Sequence, residues 1–347
     1  MKILRCGFLL FALAASAAVA PGVAISYPTK FVRFIVPYAP GGSSDVLART
    51  LGQKLGETLG QTFVVDNRPG AGSMIGTDIA AKSTPDGYTI ILSDMPHTIN
   101  PSIYAKVPYD PVKDFSPLTV IGVSPMFLFA HPSVQAQNVK GFIALAKTQP
   151  GKIAIASGGT GATTHLMAEL LQSNAGIKLT HVPYKGAGPA LTDVVAGQIP
   201  ATFTSMATAA PYAKSGRLRI LGVTSAKRLP SFPDVPTFEE SGVPGMVVEH
   251  WWGVMAPAGV PKPIIDKLHG EIVRAVNAAD VRERFATLAV DREVVRRVEL
   301  PALHAVGDDG VFPVRIEAQD RAPARAAAEQ PPLRIERETV GAVGPGA

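Results

Sequence analysis

Two strand–turn–helix starts, one in each half of the chain, constrain the fold more than any other feature of the sequence. The apolar run Phe34-Ile35-Val36-Pro37 leads into Pro40-Gly41-Gly42-Ser43-Ser44-Asp45, and Ile153-Ala154-Ile155-Ala156 leads into Ser157-Gly158-Gly159-Thr160-Gly161-Ala162-Thr163-Thr164-His165. Glycines let backbone N–H groups approach a ligand, and the free N–H groups at a helix start attract an anion. Neither turn ends in the Gly-Lys-Ser/Thr sequence of a nucleotide P-loop. The pair therefore predicts two anion-binding turns that face each other across a cleft.

The order of strand-like and helix-like segments predicts an α/β fold. Strand-like runs at residues 32–37, 62–65 and 88–92 alternate with helical periodicity at residues 45–60 and 75–82. The alternation resumes in the second half of the chain, with predicted helices at residues 139–148, 163–175 and 189–197 and predicted strands at residues 153–156, 179–183 and 201–204. Strands that alternate with helices form largely parallel sheets. In such sheets ligands bind at the carboxyl ends of the strands, where both glycine-rich turns fall.

Two apolar segments predict connections between two lobes. Residues 118–131 form a long apolar stretch that is broken at Pro125, and we expect it to cross from one lobe to the other. We expect the strand at residues 218–224 to cross back, so that a helix at residues 263–277 rejoins the first lobe. The sequence thus predicts two doubly wound α/β lobes with two crossover strands: lobe 1 from residues 27–124 plus 249–290, and lobe 2 from residues 125–248.

The two ends of the chain differ from the rest. Lys2 and Arg5 precede an apolar run at residues 8–19 that is followed by small residues, a pattern typical of a secretory signal peptide at residues 1–24. The run is shorter than the roughly 20 residues of a membrane span. After residue 290 lysine is absent, and Arg, Ala, Pro and Glu dominate. That composition disfavours packed elements, so we expect an atypical, mostly disordered tail at residues 291–347.

Composition excludes several classes of function. The net charge of +5 favours anionic ligands, but no run of Lys and Arg interleaved with aromatic residues indicates nucleic-acid binding. The single cysteine, Cys6, lies in the predicted signal peptide, so the exported chain would lack a thiol for a disulfide, a metal site or catalysis. The histidines lack the spacing of metal ligands, and we expect neither a metal nor a cofactor.

A series of short motifs follows the two turns in a fixed order. They are Tyr27-Pro28-Thr29-Lys30, Asn67-Arg68-Pro69-Gly70-Ala71-Gly72, His97-Thr98-Ile99-Asn100-Pro101, Tyr109-Asp110-Pro111-Val112-Lys113-Asp114-Phe115, Val182-Pro183-Tyr184-Lys185-Gly186, Asp234-Val235-Pro236-Thr237 and Ala256-Pro257-Ala258-Gly259-Val260-Pro261. Each is weak alone, but their order and spacing are specific. Together with the two turns, they resemble the periplasmic solute-binding proteins of tripartite tricarboxylate transporters, the Bug family, over residues 27–288.

The resemblance implies a type II periplasmic binding protein, a Venus flytrap that holds a small organic carboxylate between its lobes. It implies a monomer without enzyme activity that delivers this ligand to the membrane components of a transporter. Carried over position by position, it implies ligand contacts from Gly41, Gly42, Ser43 and Asp45, with Ser93, Asp94 and His97, in the first lobe, and from Ser157, Gly159, Thr160, Gly161, Thr163, His165, Tyr184, Lys185 and Gly186 in the second.

Several alternatives stay open at the level of sequence. Asp45 could only favour the dipole of its helix, His165 could only pack its turn, and Lys185 could be a solvated surface charge. Asp94 and Met95 replace the small hydroxyl residues of relatives, and an unpaired acid there would repel a carboxylate. The same pocket would also serve a ligand-sensing partner of a membrane histidine kinase. An exported enzyme acting on an organic acid would need a nucleophile–base pair or a metal, and the sequence shows no motif for either.

Overall fold

The computed structural model describes residues 26–291, which form two five-stranded mixed sheets flanked by helices. The chain first builds β1 (Val32–Val36), α1 (Ser43–Leu59), β2 (Phe63–Asn67), α2 (Met74–Ala81), β3 (Thr89–Asp94), α3 (Pro96–Ile103) and β4 (Phe115–Pro125). It returns to the same sheet with β10 (Glu249–Pro257), α8 (Lys262–Asn277) and α9 (Ala279–Thr287). The strand order of this first sheet is β2-β1-β3-β10-β4. We refer to these elements as the first lobe.

The second lobe holds the elements between β4 and β10. They are β5 (Phe127–Ala130), α4 (Val139–Thr148), β6 (Ala154–Ser157), α5 (Thr163–Ala175), β7 (Thr180–Pro183), α6 (Ala187–Val195), β8 (Ala201–Thr204), α7 (Met206–Lys214) and β9 (Arg219–Val223). Their strand order is β7-β6-β8-β5-β9. In each sheet the parallel strands come from strand–helix alternation, and one antiparallel strand, β10 or β5, arrives by crossing from the other lobe. The predicted fold of two doubly wound lobes with two crossover strands is confirmed, while the exact lobe boundaries stay a prediction.

The first crossing is short, and the second differs in detail from the sequence prediction. β4 ends at Pro125 and β5 begins at Phe127, so a single residue separates the two sheets. The strand predicted to cross back, β9, instead stays in the second sheet, because it pairs along its length with β5. The chain returns after it, and Val248 N–H donates to the Thr224 carbonyl just before β10 begins.

Each sheet is stabilised by an apolar core formed with the helices that pack against it. Trp252 on β10 is fully buried while Trp251 is partly exposed, as expected for neighbours that point to opposite faces of a strand. Helix α8 buries its apolar stripe, including Leu268 and Ile272, against the first sheet and α1. The second lobe packs Phe142 and Phe203 in a core of its own.

The predicted signal peptide lies outside the described residues, as does the tail beyond Asp291. Asp291 itself pairs with Val123 on β4. Between residues 26 and 291, no helix is both long enough and apolar enough to cross a bilayer.

Candidate functional site

A cavity of about 40 Å³ lies between the two lobes, at the carboxyl ends of their strands. The first lobe lines it with Tyr38, Gly42, Ser43, Ser44, Asp94 and His250, the second with Gly158, Ala162, Thr163, Thr164, Ala187, Thr204 and Ser205, and Met126 lies at the crossing. A larger open groove of about 550 Å³ runs along α1 and β2, but its walls come from the first lobe alone. The cavity is the candidate site because both predicted turns contribute to it.

The wall from the first lobe is the start of α1. Gly41 has a φ of 87°, a left-handed conformation that favours glycine, and Gly42 precedes the first helical residue, Ser43. Asp45 lies in the first turn of α1, and its carboxylate accepts hydrogen bonds from Gly41 N–H at 3.0 Å, Asn67 Nδ2 at 3.0 Å and the Arg49 guanidinium at 2.9 Å. Burial raises the pKa of this carboxyl, but the three donors outweigh that effect, so its pKa is lowered overall. Asp45 therefore holds the shape of the turn.

Replacing Asp45 with asparagine should lower the free energy of unfolding by about 2 kcal/mol, because the side chain loses its charge and one of the two oxygens that accept hydrogen bonds from Gly41, Arg49 and Asn67. Urea unfolding measures this. The matched control is Asp280→Asn, since Asp280 forms an exposed ion pair with Lys54 and should cost less than about 1 kcal/mol. Equal effects of the two substitutions would contradict the structural role of Asp45.

The wall from the second lobe carries free hydroxyl groups. Thr163 begins α5, and Ser205 directly precedes α7. Both are buried, with exposed fractions of 4% and 1%, and neither hydroxyl has a hydrogen-bond partner within residues 26–291. Over the same range, no side chain caps the start of α1 or α5 by a hydrogen bond. Two helix starts and two unpaired hydroxyls thus surround one cavity, an arrangement that suits an anion.

The remaining side of the cavity carries an acid and a histidine. Asp94 ends β3, and its Oδ1 accepts a hydrogen bond from the Tyr38 hydroxyl at 3.0 Å. His250 Nε2 is 3.7 Å from Asp94 Oδ2, beyond hydrogen-bond distance. Burial raises the pKa of Asp94 to about 7, against hydrogen bonds from Tyr38 and Ser44, and burial lowers the pKa of His250 to about 3. At neutral pH the histidine is uncharged, and Asp94 is close to its titration midpoint.

Of the residues predicted to bind ligand, Gly42, Ser43, Asp94 and Thr163 line the cavity. Four others lie where the two lobes touch. The Tyr104 hydroxyl donates to the Thr160 carbonyl at 2.9 Å, and Gly161 lies against the Tyr104 ring. Ala39 N–H donates to the Lys185 carbonyl at 2.9 Å, and Gly186 lies against Ala39. In this closed arrangement, these four residues join the lobes through their backbones.

Four further predicted residues lie inside their own lobe, and three of them have hydrogen-bond partners there. His97 Nε2 donates to the Pro111 carbonyl at 2.8 Å, and its ring stacks on Tyr109. Ser93 is buried on β3. Gly159 N–H donates to the Ser157 hydroxyl at 3.1 Å, and the Tyr184 hydroxyl donates to Asp193 at 2.5 Å. Ligand contact by these residues, as by Gly41 and Asp45, stays a prediction.

The structure brings together a serine and a histidine that lie far apart in the sequence, a pair that sequence analysis did not reveal. Ser157 Oγ lies 2.5 Å from His181 Nε2, and the His181 ring stacks on His165, with centroids 4.0 Å apart. His165 Nε2 is in turn 3.5 Å from Glu169 Oε1. Ser157 is fully buried and does not line the cavity, so a substrate there would not reach its hydroxyl. The pair fixes the glycine-rich turn after β6.

Sequence reasoning missed Tyr38, Thr204, Ser205 and His250 as lining residues. The strand ending at Thr204 was predicted with its correct bounds, so the rule that ligands bind at the carboxyl ends of strands would have found Ser205. His250 gave no such signal, because its position depends on how β10 crosses back. Within residues 26–291, His, Asp and Glu form no group of three that could hold a metal ion.

Fold and cavity together define a class, the two-lobed periplasmic binding proteins. The chain belongs to the tripartite tricarboxylate transporter family of receptors, whose family model matches residues 47–298. This confirms the resemblance seen in the sequence motifs. Protein BugT of Bordetella pertussis (strain Tohama I) is 39% identical over 276 residues, which cover 79% of this chain and 85% of BugT.

Solved structures agree with this assignment. The periplasmic binding protein BugD superposes with a TM-score of 0.75 at 35% identity, covering 77% of this chain and 90% of BugD. MatC from Rhodopseudomonas palustris, solved with bound malate, superposes with a TM-score of 0.74 at 31% identity, covering 77% of this chain and 91% of MatC.

Proposed function

We propose that this chain is a periplasmic receptor that captures a small organic carboxylate in the interlobe cavity and delivers it to the membrane components of a tripartite tricarboxylate-type transporter. One observation carries the proposal: the starts of α1 and α5 meet at one cavity, together with the Thr163 and Ser205 hydroxyls, which have no partner in the described part of the chain. A carboxylate there would satisfy donors contributed by both lobes. The ligand would therefore bridge the lobes.

Capture follows from closure of the lobes around the ligand. The hydrogen bonds Tyr104–Thr160 and Ala39–Lys185 join the lobes in the closed form, and an anion between the helix starts adds contacts that an open form lacks. A ligand that binds the closed form more tightly shifts the equilibrium toward it. The membrane components could then distinguish loaded from empty receptor by shape.

Two findings support a ligand-binding protein over an exported enzyme. Malate is bound to MatC, a structural neighbour in which a small carboxylate occupies a related fold. The buried Ser157–His181 pair lies outside the cavity, which argues against hydrolysis of a bound ligand. Export by the predicted signal peptide would bring the monomeric receptor to the periplasm.

Thermal unfolding of the purified protein with a panel of organic acids tests the proposal. At a ligand concentration 100 times Kd, binding stabilises the folded state by about 2.7 kcal/mol, a rise in Tm of roughly 5–10 °C for a protein of this size. Thr163→Val should remove most of the rise, while Thr148→Val, at the exposed end of α4, should not. If no acid raises Tm, the proposed function is wrong. Loss of uptake of the identified acid on gene deletion tests delivery to a transporter.

A further inference from the structure

We propose that the cavity selects carboxylates that also carry an ammonium group, with the carboxylate at the starts of α1 and α5 and the ammonium at Asp94. This inference rests on the proposed function, because it names the ligand class of the same cavity. A receptor for simple dicarboxylates would not prefer ligands that carry an ammonium group.

The charges around the cavity are the first argument. Among the described residues that line it, the titratable side chains are Tyr38, Asp94 and His250, and none is lysine or arginine. A dicarboxylate would place two negative charges beside Asp94 without a cationic side chain to balance them. A ligand with one carboxylate and one ammonium carries no net charge and brings its own cation to the acid.

The geometry of Asp94 is the second argument. Its exposed fraction is 5%, and Tyr38 donates to Oδ1. An ionised carboxylate offers about four acceptor positions on its two oxygens, and an ammonium supplies three donors. Tyr38 and Ser44 each occupy one of these positions, and His250 Nε2, 3.7 Å from Oδ2, occupies none, so the acid keeps acceptor positions for a ligand.

His250 supports the same ligand class. Its exposed fraction is 4%, its ring packs edge-to-face on Trp252 with centroids 4.5 Å apart, and its Nδ1 has no partner within residues 26–291. Burial lowers the pKa of His250, so the ring stays neutral and supplies no positive charge for a second ligand carboxylate. A neutral imidazole keeps one nitrogen as an acceptor, which suits a donor on the ligand.

Calorimetry with matched ligands tests the inference. The probes are alanine, lactate and propionate, then aspartate, malate and succinate, and then glutamate, 2-hydroxyglutarate and glutarate, all at pH 8. In at least one series, the amino member should bind at least about tenfold more tightly than the hydroxy and unsubstituted members. Asp94→Asn, which keeps the size of the side chain, should reduce that preference below about threefold. Glu249→Gln, an exposed residue next to His250, should leave it unchanged.

Proton release gives a second measurement that does not depend on a variant. The titratable side chains around Asp94 are Tyr38, Tyr109 and His250, and the two tyrosines, whose pKa values are raised, stay protonated near pH 7. Burial also raises the pKa of Asp94, to about 7. A bound ammonium favours the ionised acid, so the amino ligand should release protons at pH 7 and bind up to about tenfold more weakly at pH 6 than at pH 7.

The outcomes separate the inference from the proposed function. Tight binding of acids without an ammonium, or an amino preference that survives in Asp94→Asn, would overturn the inference and leave the proposed function standing. Absence of binding for every acid, with or without an amino group, would overturn both.

Discussion

Replacing Gly188 with alanine should leave the protein folded but prevent the closure that ligand binding requires. Gly188 lies in the first turn of α6, where alanine fits the backbone. An added Cβ would overlap the Pro40 carbonyl oxygen and come within 3.0 Å of the Gly41 carbonyl carbon, both in the first lobe. Since these are backbone atoms, only separation of the lobes relieves the overlap. We expect ligand affinity to fall at least about 100-fold, with a Tm in the absence of ligand within about 2 °C of the parent.

The measurement is calorimetry with whichever acid stabilises the parent protein, together with small-angle X-ray scattering. The parent should contract on adding the acid, and Gly188→Ala should not. Gly141→Ala is the matched control in the same lobe, because its added Cβ meets its nearest neighbour, Ala136, at an ordinary 3.5 Å. Undiminished binding by Gly188→Ala would mean that the contact of residues 186–188 with residues 39–42 is not needed for capture.

Replacing either Asp94 or His250 should produce a large pH dependence of the free energy of unfolding. The parent protein lacks this dependence because the contributions of the two residues largely cancel. The folded pKa of Asp94, about 7, is above its ordinary value of 3.8, so the folded state keeps a proton that the unfolded state loses. This contribution to the free energy of unfolding falls as pH rises from 4 to 7. The folded pKa of His250, about 3, is below 6.5, so its contribution falls as pH drops from 6.5 to 3. Between pH 4 and 6.5 the two slopes oppose each other.

Urea unfolding of the two variants between pH 4 and 6.5 should give slopes of opposite sign. Relative to the parent, the free energy of unfolding of Asp94→Asn should fall by about 3 kcal/mol as the pH falls from 6.5 to 4, because only the pH dependence contributed by His250 remains. The free energy of unfolding of His250→Gln should fall by a similar amount as the pH rises from 4 to 6.5. Glu249→Gln serves as the control and should follow the parent. Parallel pH profiles for all four proteins would show that neither buried group has a shifted pKa.

Local patterns were enough to predict most of the elements. The bounds of α4 (Val139–Thr148) and α5 (Thr163–Ala175) follow from helical periodicity and agree with the structure residue for residue. Helices α3 and α7 were not predicted, because Pro101 and Pro211 interrupt their patterns. Their neighbours in the fold, rather than their own sequences, stabilise these two helices.

The cavity was predictable only in part, for a physical reason. Turns that begin helices can be read from glycines and hydroxyl residues, and the turns at Gly42 and Thr163 do meet at the cavity. Which residues face the same space depends on contacts between segments that are distant in sequence. Trp252 pairs with Asp94 across the sheet, and this register brings His250 beside the acid. No local pattern carries that information.

A single hydroxyl group ties the two crossing segments together. Thr224 Oγ1 accepts from Met126 N–H at 2.8 Å and donates to the Val248 carbonyl at 2.6 Å, next to the one-residue link between β4 and β5. Because both connections are hydrogen-bonded to this one side chain, we expect the lobes to rotate about this point and not to slide past each other. Solute would therefore enter from the rim opposite this pivot, where Ala39 meets Lys185 and Tyr104 meets Thr160, and those bonds would be the first to break when the receptor releases its cargo.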